Sequence, residues 1–164
     1  MKNLKVFVCA TTLLFMGMTV ASCGSSTGAP NPSQTSPTPS SECAQFVSEA
    51  PCEKYASTAG SDDGTPIPWV TAGEVTAQLS TNGGDTHLVV VMPCGPLDAV
   101  VTISGSTMRL TGQRALGASG CIDPARGKQQ EWVLNFLEGS MELGYSNNTL
   151  TWTNGKDSIS FATP

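Results

Sequence analysis

Residues 1–41 read as an apolar leader followed by polar, proline-rich sequence, so whatever this chain folds into is expected to come from the 123 residues that follow. Lys2 and Lys5 precede a nearly uninterrupted apolar run from Val6 to Val20. That run is too short to span a bilayer comfortably and suits the hydrophobic stretch of a secretory signal. Nothing basic follows it to stop its transfer, which argues against an uncleaved anchor. From Gly24 to Ser41 the sequence is Ser, Thr, Pro and Gly with scarcely an apolar residue, a composition that cannot offset the entropy of ordering. Pro30, Pro32, Pro37 and Pro39 should keep this stretch extended, as a tether.

Between the two lies Thr19-Val20-Ala21-Ser22-Cys23. The order of basic residues, apolar run, small residues and cysteine resembles the bacterial lipoprotein signal. That resemblance implies cleavage ahead of Cys23 and a thioether-linked diacylglycerol on its sulfur, with an amide-linked third acyl chain. More than one chain makes such an anchor stable, where a single chain binds only marginally. The expected organisation is a signal peptide at 1–22, a lipid-anchored Ser/Thr/Pro-rich linker at 23–41, a disulfide-closed segment at 42–65 and the main domain at 66–164. The expected location is the extracytoplasmic face of the cell membrane.

Removing 22 of 164 residues leaves 142, room for one modest domain. The removed part holds two of the eight basic and none of the thirteen acidic residues, so the remainder carries six against thirteen, a net −7. This balance argues against nucleic acid as a partner. With Cys9 removed and Cys23 lipidated, Cys43, Cys52, Cys94 and Cys121 remain. Four thiols in an oxidising compartment suggest two disulfides out of three connectivities. Cys43–Cys52 with Cys94–Cys121 is favoured, the first being local and the second lying within the main domain. No C-x-x-C pair occurs and His87 stands apart, so no metal site is expected.

Along the chain, 42–55 reads as a short helical turn closed by its own bridge and limited by Pro51. Val75, Ala77 and Leu79 alternate with polar residues, and Leu88 to Met92 reads as a strand buried on both faces. Leu97, Ala99, Val101 and Ile103 share one face up to a Gly105-Ser106 hairpin turn, and the strand returns through Met108 and Leu110. Gly112 to Gly120 reads as a glycine-rich loop. Trp132, Val133, Phe136 and Leu137 then form an amphipathic stripe from about Lys128 to Glu138, stopped at Gly139. A meander follows, with Leu143 and Tyr145, Leu150 and Trp152, and Ile159 and Phe161 separated by Asn147-Asn148 and Asn154-Gly155. Strands, a helix, then strands predict an α+β fold, an antiparallel sheet with one packed amphipathic helix and a disulfide-stapled N-terminal extension.

Over roughly Pro66 to Ala162 this arrangement resembles the META domain, the heat-inducible lipoprotein (HslJ-like) family. The resemblance rests on Trp69, on Cys94-Gly95 closing a strand, on the hairpin, Cys121 and the helix around Trp132 to Leu137, and on Asn148-Thr149-Leu150-Thr151-Trp152 followed by Ser158-Ile159-Ser160-Phe161. The family's usual glycine-cysteine-asparagine is replaced here by Pro93-Cys94-Gly95. The resemblance implies an envelope protein linked to stress or antibiotic tolerance and carries no active site with it.

The residues themselves agree with that silence, since no S-x-x-K or phosphate-binding glycine loop occurs, and the one G-x-S-x-G match, Gly24 to Gly28, falls in the Ser/Thr/Pro-rich stretch rather than between a strand and a helix. His87 reads as a polar residue at a strand start, Asp62-Asp63 as a solvated loop pair, and Asn147-Asn148-Thr149 as a turn. Trp132 and Phe136 read as core. Arg109, Arg114 and Arg126 flank the glycine-rich loop, and an anion or partner contact is weighed there against plain surface. The expected protein is thus a monomeric, non-enzymatic, cofactor-free lipoprotein that meets the membrane through its anchor and an envelope protein through its domain. Two rivals stand beside this: a binder of a small apolar ligand, lipid or antibiotic, between helix and sheet, and an enzyme using Arg109 or Asp123.

Overall fold

The computed structural model describes residues 41–117 and 120–164. Ten strands, β1 Glu42–Ala44, β2 Tyr55–Asp62, β3 Thr65–Pro66, β4 Thr76–Asn82, β5 Asp85–Met92, β6 Gly95–Ser104, β7 Thr107–Leu116, β8 Ser140–Ser146, β9 Thr149–Asn154 and β10 Asp157–Ala162, are joined by a 3-10 segment at Pro68–Gly73 and one helix, α1, at Pro124–Phe136. All neighbouring strands run antiparallel. Eight of them, in the order β4-β5-β6-β7-β8-β9-β10-β2, close on themselves where β2 returns to β4. Strand β1 lies beside β4, and β3 beside β2.

The fold is therefore a closed, mostly β barrel with one helix, which corrects the open α+β sheet expected from sequence. Period-two alternation fixes which side chains share a face, but not whether the first and last strands of a sheet meet. Closure here depends on Tyr55 and Ala56 opposite Ala77 and Thr76. Tyr55 ends the stretch read as a helical turn, yet it belongs with Ala56 to β2, which completes the ring. The stretch read as a helical turn instead opens with the short strand β1, whose register with β4 pairs Cys43 with Ser80. Strand β5 shows the same correction from the other side. Leu88, Val90 and Met92 are buried while Val91 is 41% exposed, because a barrel has one interior and no helix layer covers the outer face of β5.

Helix α1 begins earlier than its apolar stripe suggests. Asp123 caps it, its Oδ1 accepting from the Ala125 N–H at 2.8 Å, and Pro124 occupies the first turn where its missing N–H costs nothing. Val133, Phe136 and Leu137 are buried, as the stripe predicts. The helix meets one end of the barrel rather than a sheet face. Arg126 Nε and Nη2 donate to the Pro93 carbonyl at 3.0 and 2.8 Å in the β5–β6 turn. Asn154 Nδ2, at the end of β9, donates to the Phe136 carbonyl at 2.7 Å.

Inward-facing residues of every barrel strand form one core, with Trp152, Tyr55, Phe161, Leu79, Leu88 and Met108 among its fully buried side chains. Phe46, just beyond β1, joins it, its ring 5.7 Å from Tyr55 and 5.3 Å from Trp152. The one buried polar residue among the described core is Ser57 on β2. Its hydroxyl donates to the Val70 carbonyl and accepts from the Val75 N–H at 3.1 Å, while its own N–H donates to the Val75 carbonyl at 2.8 Å. The 3-10 segment is thereby laid against β2, close enough that a Cβ on Gly60 would sit 2.9 Å from Val70 Cγ1. Ser57→Ala is expected to lower stability by about 1–3 kcal/mol, because it strands a buried carbonyl and a buried N–H. Equilibrium urea unfolding measures it, and a change below about 0.5 kcal/mol would show that the segment is held by packing alone.

Candidate functional site

Strands β5, β6 and β7 carry the most chemically varied patch of the barrel's outer wall. Between Ala99 and Val101 the β6–β7 register shifts: Val101 faces Leu110 and Ala99 faces Arg114, so Val100 stands against Thr111, Gly112 and Gln113. Such a bulge bends the strand and increases its twist. Gly112 makes it sterically feasible, since a Cβ there would lie 2.6 Å from Val100 Cβ. Around the bulge, Asp85, His87, Asp98, Val100 and residues 112–115 line an open groove of about 800 Å3. His87 Nδ1 lies 3.1 Å from Asp98 Oδ1, diagonally across β5 and β6. Both side chains remain partly in water, at 27% and 51% exposure, so the pair is a weak surface contact.

The three arginines read together from the sequence are held apart by the fold. Arg109 Nε donates to Ser140 Oγ at 2.9 Å on β8. Arg126 is committed to the Pro93 carbonyl, with Glu74 Oε2 at 3.8 Å. Arg114 lines the groove and makes no side-chain hydrogen bond or ion pair among the described residues. Asp123 is occupied as the helix cap, and nothing brings it to Arg109. Asp63, in the β2–β3 turn, pairs with Lys156 at 2.9 Å and its N–H donates to Asp157 Oδ1 at 2.7 Å. Asn147 and Asn148 form the β8–β9 turn with positive φ of 50° and 59°, the conformation of a two-residue hairpin turn that asparagine tolerates.

Among the cysteines, Cys43 is bonded to Cys52 and Cys94 to Cys121. The first bridge closes the segment that delivers Phe46 to the core. The second ties the β5–β6 turn to the approach to α1, beside an open apolar depression lined by Pro93, Gly95, Ile122 and Arg126. Cys23, the expected lipidation site, lies outside the described residues. Among the described residues no three His, Cys, Asp or Glu side chains come together to hold a metal, and no helix is long and apolar enough to cross a membrane.

The space between helix and strands, where a small apolar ligand was considered, is taken by the protein's own side chains. Trp132 is half-buried, stacked on Phe136 at 5.5 Å and edge-on to Trp69 at 5.9 Å. An eight-stranded barrel is just wide enough for its side chains to fill. Burial pushes the Tyr55 hydroxyl above its usual pKa, with Tyr145 and Glu53 adding to the effect. It therefore remains a donor, to the Pro51 carbonyl at 2.9 Å.

Beyond Arg109, β7 loses β8: the β7–β8 register covers only Thr107 to Arg109. Residues 111–116 are all exposed, and past the bulge Arg114, Ala115 and Leu116 pair with β6 alone among the described residues. The glycine-rich loop read over 112–120 thus begins as a strand with an open edge. Gly112 was the available signal, since an isolated glycine in a strand pattern marks a bulge as readily as a loop.

Neither a protein-family model nor a curated protein matches the chain. Two solved structures resemble it. The NMR structure of a protein from Burkholderia xenovorans is 17% identical, covers 68% of this chain and 81% of that one, and superposes with a TM-score of 0.52. A second NMR structure is 14% identical over 67% of this chain and 87% of that one, at a TM-score of 0.47. At such identities, what this chain shares with the Burkholderia protein is its fold.

Proposed function

We propose that the chain is a lipid-anchored envelope lipoprotein whose META-like barrel is a non-catalytic interaction or stress-protection module at the extracytoplasmic face of the cell membrane. The observation that carries this reading is a barrel whose interior is filled by Trp152, Phe46, Phe161 and their neighbours, so that the working surface is the outside. The polar groups on that outside are exposed and dispersed, with Arg109, Arg126 and Asp123 each committed to a structural contact. The basic, apolar and small-residue order ahead of Cys23 supports the anchor, and the proline-rich linker leads from it to β1.

Detergent phase separation of protein expressed in a bacterium that processes lipoproteins tests the anchor. Wild type is expected in the detergent phase and Cys23→Ala in the aqueous phase. Wild-type protein in the aqueous phase, with Cys23 bonded to another sulfur, would overturn it. Wild type and Cys23→Ala are expected to unfold at the same denaturant midpoint if the lipid serves only to locate the domain.

A further inference from the structure

We infer that the open edge of β7 is a strand-addition site for an extended acidic and apolar segment of another envelope protein. This rests on the interaction-module reading above and names where and how the partner is held. The edge has a definite hydrogen-bonding phase. The Gly117 N–H donates to the Pro96 carbonyl at 2.8 Å, and backbone groups along an antiparallel strand alternate sides. Ala115 therefore also faces β6, while Arg114 and Leu116 direct their N–H and C=O groups away from it. Among the described residues, nothing pairs with those groups.

Unpaired edges are templates for other strands, and proteins restrain them with bulges and charges. Both restraints are present here, the bulge at Val100 and the guanidinium of Arg114. A purely protective arrangement would not also leave apolar side chains at the same end of the hairpin. Leu116 is 49% exposed and Ile122 99% exposed, and Val91 at 41% lies opposite Pro96, one residue from Leu97, the partner of Leu116. These are the exposed large hydrophobics among the described residues.

Charge selects the occupant. Arg114 is the arginine left without a side-chain partner, on a domain in which acidic residues outnumber basic ones by thirteen to six once 1–22 are removed. A strand carrying a carboxylate and an apolar residue two positions apart, and so on one face, would pair with Arg114 and cover Leu116 while completing the backbone ladder. A second copy of this chain fits less well, since antiparallel pairing of two such edges brings two bodies of net −7 together and sets Arg114 near its counterpart.

Amide exchange followed by NMR on the full chain in detergent micelles tests this with two synthetic octapeptides, Thr-Val-Thr-Asp-Thr-Val-Thr-Asp and the same peptide with Lys for Asp, in which Val and the charged residue share a face. The Asp peptide is expected to slow exchange at the Arg114 and Leu116 amides tenfold or more, with little change at Ala115, which is already bonded to β6. Leu116→Pro, which removes one outward donor and no bond to β6, should abolish the protection at Arg114. Arg114→Glu should transfer it from the Asp to the Lys peptide, and keeps the test decisive should the proline variant fold poorly. Equal protection by both peptides, protection by neither, or protection that rises with protein concentration alone would overturn the site, the last marking a self-association edge. Phase partition is read separately, so a chain that stays anchored yet binds neither peptide loses this site and not its anchor.

Discussion

Phe46→Ala is expected to lower the stability of the domain by about 3–5 kcal/mol, the cost of emptying a buried aromatic site. The residue is 1% exposed, and its ring contacts Tyr55 edge-on and Trp152 at a tilt. Trp152 is itself packed on Phe161 at 4.6 Å, so the vacated space opens onto the largest side chain of the core. A domain of this size is stable by about 5–15 kcal/mol in all, so the loss would remove a large share. Guanidinium unfolding followed by tryptophan fluorescence measures it. A loss under about 1 kcal/mol would mean that the segment after β1 packs on the barrel as a detachable piece.

Removing the Cys94–Cys121 bridge, with both cysteines changed to alanine, is expected to cost about 3.5 kcal/mol from the loop-closure entropy of the unfolded chain. The two residues are separated by 27 positions, against nine for Cys43 and Cys52. The same relation gives about 2.7 kcal/mol for the shorter loop, so the two double variants should rank in that order. The arginine fork from α1 to the Pro93 carbonyl sits one residue from Cys94 and holds the turn near the helix even without the bridge. Native geometry should therefore survive, and the loss should appear as a lower denaturant midpoint, with an m-value that rises because the unbridged unfolded chain is more expanded. Equal midpoints for wild type and variant would show that β6, β7 and α1 already confine this loop in the unfolded ensemble.

Much of the barrel wall was legible from residue order. Alternation correctly grouped Leu97, Ala99 and Val101 on one face, Gly105-Ser106 and Asn147-Asn148 marked turns, and the stripe at Val133, Phe136 and Leu137 identified the buried side of α1. Three readings failed where a local signal met a distant partner. Tyr55 and Ala56 lie in polar, proline-flanked sequence, yet they close the ring because β4 and β10 present unpaired edges on either side. Val91 looked buried because its neighbours are apolar, but burial on both faces requires a covering layer that this fold lacks. The glycine-rich run from Gly112 looked like a loop because glycine signals both loops and bulges, and only contact with Val100 distinguishes them.

The candidate site was less legible than the fold. His87 and Asp98 are eleven residues apart and meet only through the β5–β6 register. Arg114 gained significance by losing a neighbour, since β8 departs after pairing Ser140 with Arg109. By itself the sequence determined what period, composition and cysteine parity can encode: which faces are apolar, where the chain turns and that four thiols are available to pair. Tertiary structure alone decided that the sheet closes, that the helix caps an end and that β7 beyond Arg109 has no partner on its β8 side among the described residues. Those outcomes depend on which strands meet across long separations, and pairing of that kind is fixed by the geometry of the whole wall rather than by any window of residues.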